Sequence, residues 1–324
     1  MKRRETWFWA IVIGGPVVAA LSVFLGHGVT EPLRLLAPEQ HGILVARLWR
    51  VLLAVVVGAS LSVAGAVLQA VLRNPLAEPY VLGLSSGAAL GTAGAILAGG
   101  LACSPFLLPA SGFVGSIASL AVVYRLARVG RTTAPHTLVL AGVIWSSICG
   151  SALMFLVSQS SAEGLHAILW WFLGDLQVFD ARLALAAGGI VAATLLVLSL
   201  FIRDLNAILL GDNLAGHVGL NAERTKTALL ALASVMTAAA VCVSGLISFV
   251  GLTVPHAARA LVGADHRRLL PAAACLGAGF LAVADGLGRM LIYPAEIPVG
   301  VITALVGGPF FLWVLRRKGM RMWL

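Results

Sequence analysis

The fold is decided at residues 51–72, which read VLLAVVVGASLSVAGAVLQAVL without a charged side chain. A helix needs about 20 predominantly apolar residues to cross the hydrocarbon core of a bilayer, so this run is long enough to span one. Similar runs recur along the whole chain. The predicted spans are residues 7–25, 51–72, 81–101, 106–124, 137–158, 181–202, 227–247, 249–262, 269–288 and 297–315. The sequence therefore predicts an all-α polytopic membrane protein with ten transmembrane helices, forming a single transmembrane domain over residues 1–324.

The composition points to the same class. Of 324 residues, 60% are hydrophobic and only 11% are charged, and the mean hydropathy is +1.00. Ordinary soluble domains carry about a quarter charged residues, so a soluble enzyme is excluded. The four cysteines show no CxxC spacing and the seven histidines do not cluster on any one predicted helix. We therefore expect no disulfide framework and no metal site.

The charge distribution predicts the orientation. The chain has 22 Lys and Arg against 13 Asp and Glu, a net charge of +9. Most of the cations fall at the two termini and in alternate loops, which the positive-inside rule assigns to the cytoplasm. Both termini are therefore predicted to be cytoplasmic, and the positive charge requires no nucleic acid partner. The cations left on the outer face are Arg34, Arg47, Arg50, Arg182 and Arg289.

Two predicted loops are too long to be simple turns. The outer segment 159–180 contains Trp170, Trp171 and Phe172, which favours a short helix at the membrane interface. The cytoplasmic segment 203–226 contains a glycine-bounded stretch, GDNLAGHVGL at residues 211–220. Such a stretch predicts a structured contact for a partner, although an inert linker remains an alternative because Gly and Asp also punctuate ordinary loops.

A weak internal parallel repeat is also predicted. Placing residues 63–65 (VAG) on 249–251 (FVG) also brings Arg73 onto Arg259 and residues 88–91 onto 274–277. Predicted helices two and three would then repeat as helices eight and nine, as parallel repeats do in transporters. Small residues in apolar helices can produce similar matches by chance.

Three motifs occur at predicted helix ends or breaks. The first is RNPLAEP at 73–79 followed by GLSSGAA at 83–89, and the second is FVGLTVPH at 249–256 with Arg259 and DHR at 265–267. The third is EIPVG at 296–300 followed by GPFF at 308–311. Their order resembles the FecCD/BtuC-like permease subunits of bacterial ABC importers for iron-siderophores, haem and cobalamin. The resemblance covers essentially residues 45–317.

The resemblance implies a multi-pass permease of the bacterial inner (cytoplasmic) membrane. Such a permease homodimerises around a translocation path, binds two ATP-binding subunits on the cytoplasmic side and one substrate-binding protein on the outer side, and works by alternating access. The chain has no GxxxxGK[ST] motif, and none of its three lysines follows a glycine. It therefore lacks a P-loop. We expect no enzyme activity and no cofactor in this chain, with ATP and Mg²⁺ bound by the partner ATPase.

Docking of the binding protein is assigned by the resemblance to Arg47, Arg50 and Arg289. Arg47 and Arg50 are three residues apart, on one face of a helix start, and Arg289 lies near the outer end of predicted span nine. In the family the corresponding arginines form pockets for glutamates of the binding protein. Trp49 stands where the family usually has proline. Snorkelling anchors at the interface remain an alternative.

Two further sets of residues are assigned by the resemblance. The ATPase-coupling residues are Gly211, Asp212, Ala215, Gly219 and Leu220. The cytoplasmic gate residues are Asn74, Leu76, Pro135 and His136, although the family has small hydroxyl residues at the last two positions. An ordinary cap or turn explains Asn74 equally well.

The main alternative is an ion- or proton-coupled secondary transporter. It would account for the spans and the repeat, but not for the cytoplasmic segment or the outer arginines. The clearest ionisable residue inside a span is Asp285, one helical turn from Arg289, and this spacing predicts an ion pair. A membrane-embedded enzyme is disfavoured because no His, Glu and Asp cluster on predicted facing helices. The substrate stays open among iron-siderophores, haem, cobalamin and oxyanions, and the apolar path favours a bulky chelate.

Overall fold

A computed structural model of the chain describes residues 2–26, 37–99, 104, 106–129, 132–178, 180–209, 211, 219–292 and 294–318. Within these ranges the protein is built almost entirely of α-helices. They are α1 (Lys2–Leu21), α2 (His41–Val71), α3 (Leu84–Leu97), α4 (Leu107–Ala127), α5 (Pro135–Ser158), α6 (Ala162–Leu173), α7 (Ala181–Leu200), α8 (Ile202–Leu209), α9 (Ala222–Ser244), α10 (Val250–Val262), α11 (His266–Leu291) and α12 (Val299–Lys318). Short 3₁₀ turns lie at Ser22–Phe24, Pro38–Gln40 and Pro79–Leu82. Two-residue strands, β1 (Arg128–Val129) and β2 (Thr132–Thr133), pair antiparallel between α4 and α5.

Every predicted span overlaps one of these helices. Among the described residues, 7 helices are long and apolar enough to cross a membrane: α1, α2, α4, α5, α7, α9 and α11. The remaining predicted spans coincide with α3, α10 and α12, of which α3 has 14 residues and α10 has 13. The number of crossings and the cytoplasmic position of both termini stay predictions.

Several predicted boundaries differ from the helix ends, and two of these differences concern the site. α2 begins at His41 rather than at residue 51, so Arg47 and Arg50 lie inside the helix and not at its start. α9 ends at Ser244, and Gly245 follows with a φ of 66°, in the left-handed region that glycine tolerates best. The chain is then non-helical until Phe249, whose φ of 68° is unusual for a residue with a side chain. Residues 63–65 lie within α2 whereas Phe249 precedes α10, and the internal repeat stays a prediction.

α2 is the central helix of the protein. Leu53, Leu61 and Leu68 are fully buried on it, and it packs against α9, α10 and α11. A Cβ atom at Gly58 would overlap the carbonyl group of Gly277, and one at Gly65 would overlap that of Gly251. Small residues at these two crossings therefore let the helix backbones approach closely, as is typical of membrane helix pairs.

The short helix α10 is sheltered by its neighbours, as a short helix with an internal proline requires in a membrane. Pro255 lies within it, and residues 250–256 are buried. The surrounding helices are α1, α2, α11 and α12. Pro255 has no N–H for the carbonyl of Gly251, four residues earlier, and this carbonyl instead accepts from Gln69 Nε2 of α2 at 3.4 Å.

Several helices begin at a side-chain cap. The side-chain oxygens of Ser161, Asp180, Asn221 and Asp265 each accept a hydrogen bond from a backbone N–H of the first helical turn, at 2.8–3.2 Å. Such caps satisfy backbone donors that have no partner inside the helix. They fix the starts of α6, α7, α9 and α11.

The predicted outer segment contains α6, followed by a non-helical stretch at residues 174–178. The backbone N–H of Asp175 donates to the carbonyl of Ser244 at 2.8 Å. This contact fastens the segment to the end of α9. Its position at the membrane interface stays a prediction.

Candidate functional site

The three arginines that the resemblance assigns to docking lie together. Arg47 and Arg50 on α2 and Arg289 on α11 line one cavity of about 440 Å³. Gln177, Val178 and Glu296 line it as well. The cavity therefore combines the ends of two long helices with the outer segment and the loop before α12.

Arg50 is held by carboxylates from three parts of the chain. Its Nε donates to Asp285 Oδ1 at 2.8 Å and its Nη1 donates to Glu296 Oε2 at 2.8 Å. Asp175 Oδ1 lies 4.0 Å from its Nη2. The Arg50 side chain is 13% exposed, Asp285 1% and Glu296 40%. One side of the guanidinium is thus paired in the interior and the other at the surface.

Asp285 also pairs with Arg289. Arg289 Nε lies 3.1 Å from Asp285 Oδ2, one helical turn along α11, which confirms the predicted ion pair. A single buried carboxylate therefore lies between two guanidinium groups. Buried ions remain stable only when they are paired in this way, because removing a charge from water is expensive.

Arg47 and Arg289 reach the segment after α1. Arg47 Nη1 donates to the carbonyl of Val23 at 3.3 Å, and Arg289 Nη2 donates to that of Ser22 at 3.4 Å. Both residues are 7% exposed. A snorkelling anchor keeps its charged head in water, and neither side chain does so here. Of the other cations predicted to be outer, Arg182 pairs with Asp180 at 2.9 Å, and this hydrogen bond lowers the pKa of the Asp180 carboxyl.

The sequence did not reveal the partners of Arg50. Asp285 and Glu296 are distant from it along the chain, and only Glu296 lay within a recognised motif, EIPVG, where it had no assigned role. Their meeting depends on how α2 packs against α11. A helical spacing of four residues could indicate only the Asp285 and Arg289 pair.

The coupling segment follows α8. Of the described coupling residues, Gly211 and Gly219 have φ of 117° and 80°, which favours glycine near both ends of the stretch. Leu220 packs against the main hydrophobic core just before α9 begins. Asp212 and Ala215 lie outside the described residues.

α8 is tied to the turn between α10 and α11. Asn206 Nδ2 donates to Asp265 Oδ1 at 2.7 Å, and the backbone N–H of His266 donates to Asn206 Oδ1 at 3.0 Å. His266 Nδ1 lies 2.7 Å from the same oxygen. Hydrogen bonds to Asp265, first from the backbone of Arg267 and also from Asn206, lower the pKa of its carboxyl. The helix that leads into the coupling segment is therefore fixed to the base of α11.

The loop with Asn74 and Leu76 is also joined to α8. Arg73 Nε donates to the carbonyl of Ile208 at 3.2 Å, near the end of α8. Asn74 Oδ1 accepts a hydrogen bond from the N–H of Leu76 at 2.9 Å, which is an ordinary Asx turn. Leu76 is 46% exposed. The turn accounts for Asn74 structurally, and the gate role of both residues stays a prediction.

Glu78 and Tyr80 connect this loop to the break between α9 and α10. Glu78 Oε1 accepts from the N–H of Phe249 at 2.7 Å. The Tyr80 hydroxyl accepts from the N–H of Ile247 at 3.0 Å and donates to its carbonyl at 2.7 Å. Burial raises the pKa of Glu78 to about 7. Sequence reasoning gave neither residue a role.

Pro135 and His136 lie in the first turn of α5, where the missing N–H of proline has no cost. Pro135 shares a small cavity with Val71 and Leu72 at the end of α2, and His136 is exposed. Both predicted gate pairs thus lie near the same end of α2.

Across the described residues, no group of three or more His, Cys, Asp or Glu is arranged to hold a metal ion.

A family model and several characterised permeases match most of this chain. The model of the FecCD transport family matches residues 8–317. The hemin transport system permease HmuU of Yersinia pestis is 43% identical over 281 residues, covering 84% of this chain and 82% of the relative. The cobalamin import permease BtuC of Halobacterium salinarum is 41% identical over 96% of this chain and 82% of its own length. The Fe(3+) dicitrate permease FecD of Escherichia coli K12 is 40% identical, with 84% of each chain covered.

A solved structure has the same fold. It is described as an inward-facing conformation of a metal-chelate type ABC transporter, and it superposes with a TM-score of 0.85 at 30% identity. The match covers 96% of this chain and 99% of that one. The two chains therefore share their helical arrangement over this matched length.

Proposed function

Because the chain belongs to the FecCD transport family, we propose that it is the permease subunit of an ATP-driven importer for a bulky metal chelate. It is a multi-pass membrane protein of a family of transport permeases, which are not themselves enzymes. In this proposal it crosses the bacterial inner membrane ten times with both termini in the cytoplasm. ATP and Mg²⁺ are bound by a separate ATPase subunit.

The observation that carries this proposal is the cavity lined by three guanidinium groups. Guanidinium pairs with carboxylate in a directional, often bidentate geometry, so the cavity suits carboxylates on the surface of a substrate-binding protein. The opposite end of α2 leads to the loop at 73–79 and to α8. Docking and coupling would therefore occur at the two ends of one buried helix.

An exposed apolar face on α5 supports assembly around a path. Its members are more than half exposed although they are large and apolar, and they include Leu140, Val143, Ile144, Ile148 and Phe155. Such a face requires lipid or protein to cover it. We assign it to a homodimer that encloses the translocation path and opens alternately to the two sides, with two ATPase subunits inside and one binding protein outside.

The relatives support the substrate class. Their names specify hemin, cobalamin and Fe(3+) dicitrate, and each of these is a metal held by an organic chelator. Iron-siderophore, haem and cobalamin remain the candidates for this chain. We expect the separate binding protein to select among them.

Reconstitution tests the function directly. The permease, with the ATPase and the binding protein of its own transport system, is placed in proteoliposomes and offered radiolabelled haemin, cyanocobalamin or ferric citrate. We expect uptake of one of them with ATP and Mg²⁺, and none with a non-hydrolysable ATP analogue. Uptake that continues without ATP and stops when an ionophore collapses the ion gradient would identify a secondary transporter instead.

The coupling segment is tested separately. Deleting residues 211–220 should abolish association with the ATPase in a pull-down, and so should the milder Asp212→Arg. Size-exclusion chromatography shows whether the variants remain folded, and Gly189→Ala, at an open position on α7, is the control. Folded variants that still bind the ATPase would contradict the assignment.

A further inference from the structure

The predicted docking residue Arg50 already has carboxylate partners on both sides. Asp285 and Glu296 each lie 2.8 Å from it. The two acids differ in their surroundings, because Asp285 is buried on α11 whereas Glu296 is 40% exposed in the loop before α12. A carboxylate that arrives from outside thus meets Glu296 first.

The charges of the cluster are formally balanced. Arg47, Arg50 and Arg289 face Asp285 and Glu296, and Asp175 lies 4.0 Å from Arg50. Adding a further carboxylate would leave an excess of negative charge unless one of the acids moved away. Loss of Asp285 would leave two buried guanidinium groups without a counter-charge. Glu296 forms a solvent-accessible ion pair, which is weak and readily exchanged.

The donor that an entering carboxylate can gain is the Nη1 of Arg50, which Glu296 now occupies. Arg289 also lines the cavity, but it is only 7% exposed. Its Nη1 is buried without a hydrogen-bond partner among the described residues. An incoming carboxylate therefore competes with Glu296 for Arg50 rather than adding to it.

We propose that Glu296 is an internal stand-in for a carboxylate of the substrate-binding protein. It holds Arg50 in the undocked permease, and it is displaced when an Asp or Glu side chain of the binding protein enters the cavity. This inference rests on the docking role in the proposed function. Glu296 thereby lowers the affinity of docking and favours release of the binding protein after its substrate is delivered.

Glu296→Gln tests the exchange because it removes the charge and preserves the shape. The wild-type and variant permeases, assembled with their ATPase in nanodiscs, are immobilised, and binding of the purified substrate-binding protein of the same system is followed by biolayer interferometry. We expect binding roughly two- to fivefold tighter, mainly through slower dissociation, because a competing exposed ion pair has been removed. Glu39→Gln, an exposed acid just before α2 that does not line the cavity, makes the same charge change and should alter binding less.

The sign of the effect decides the outcome. Weaker docking by Glu296→Gln would show that Glu296 positions Arg50 for the partner, and an effect equal to that of Glu39→Gln would reflect net charge alone. Either result overturns the stand-in role. Adding Glu296→Gln to Arg50→Gln should give no further gain, since Arg50 is the group for which the two carboxylates compete. If Arg47→Gln and Arg50→Gln both leave docking unchanged in folded protein, the docking site itself is wrong, which is a separate result.

Discussion

Arg50 Nε lies 2.8 Å from Asp285 Oδ1, although the two residues are 235 positions apart in the chain. The carboxylate is buried and also pairs with Arg289. We expect Asp285→Asn to destabilise the protein by about 3–5 kcal/mol, since two buried guanidinium groups lose their counter-charge. The thermal unfolding midpoint of detergent-solubilised protein measures this effect.

A double-mutant cycle checks that the loss comes from the ion pair. Arg50→Gln combined with Asp285→Asn should cost less than the sum of the single changes, because neither change then leaves its direct partner stranded. Glu39→Gln is the control for the change in charge. Strict additivity of Arg50→Gln and Asp285→Asn would contradict a direct interaction.

The contacts of Asp285 also show which part of the site could be predicted from the sequence. The Asp285 and Arg289 pair was predictable because four residues make one helical turn. The Arg50 contacts were not, because they depend on the packing of α2 against α11. The same packing explains why α2 continues through Arg47 and Arg50, where the apolar pattern suggested an end. The charge of Arg50 is compensated by Asp285 and Glu296, which lie far from it in the sequence.

The crossing of α2 and α10 gives a second prediction. A Cβ at Gly65 would overlap the backbone of Gly251, and neither helix can move away without disturbing the buried centre of the fold. We expect Gly65→Ala to cost about 1–3 kcal/mol through overpacking, measured by thermal unfolding in detergent. Gly189→Ala is the matched control, because a Cβ at that helical glycine meets nothing within 4 Å. Equal midpoints for the two variants would contradict the close crossing.

Glycines at helix crossings show what a single sequence does not predict. Gly65 and Gly251 belong to the two segments that a weak repeat predicts to be equivalent, yet the structure brings them into contact with each other. The composition shows that apolar helices rich in small residues will pack closely. It cannot indicate which glycine meets which, since many pairs have the same local pattern.

The buried Glu78 should make the stability of the protein depend on pH. Burial raises its pKa to about 7, above the roughly 4.3 of an ordinary glutamate, so the folded state favours the protonated form. This contribution to stability is fully present below the ordinary pKa and is lost as the pH rises through about 7. We expect the unfolding midpoint of the wild type to fall more between pH 5 and pH 8 than that of Glu78→Gln. Parallel curves would contradict a buried, titrating Glu78.

Substitution of Arg73 should uncouple transport from ATP hydrolysis without preventing the ATPase from binding. Its Nε donates to the carbonyl of Ile208, so it links the loop containing Asn74 and Leu76 to the helix that leads into the coupling segment. If movement of the ATPase reaches the loop through α8, Arg73→Ala should leave ATPase binding and hydrolysis near the wild-type level while uptake per ATP falls severalfold. The measurement is the ratio of transported substrate to released phosphate in proteoliposomes. Arg125→Ala, an exposed arginine near the end of α4, makes the same charge change and should retain the wild-type ratio. An unchanged ratio for Arg73→Ala would mean that the loop receives its motion through another contact, of which the Glu78 and Tyr80 bonds to residues 247–249 are the nearest in the chain.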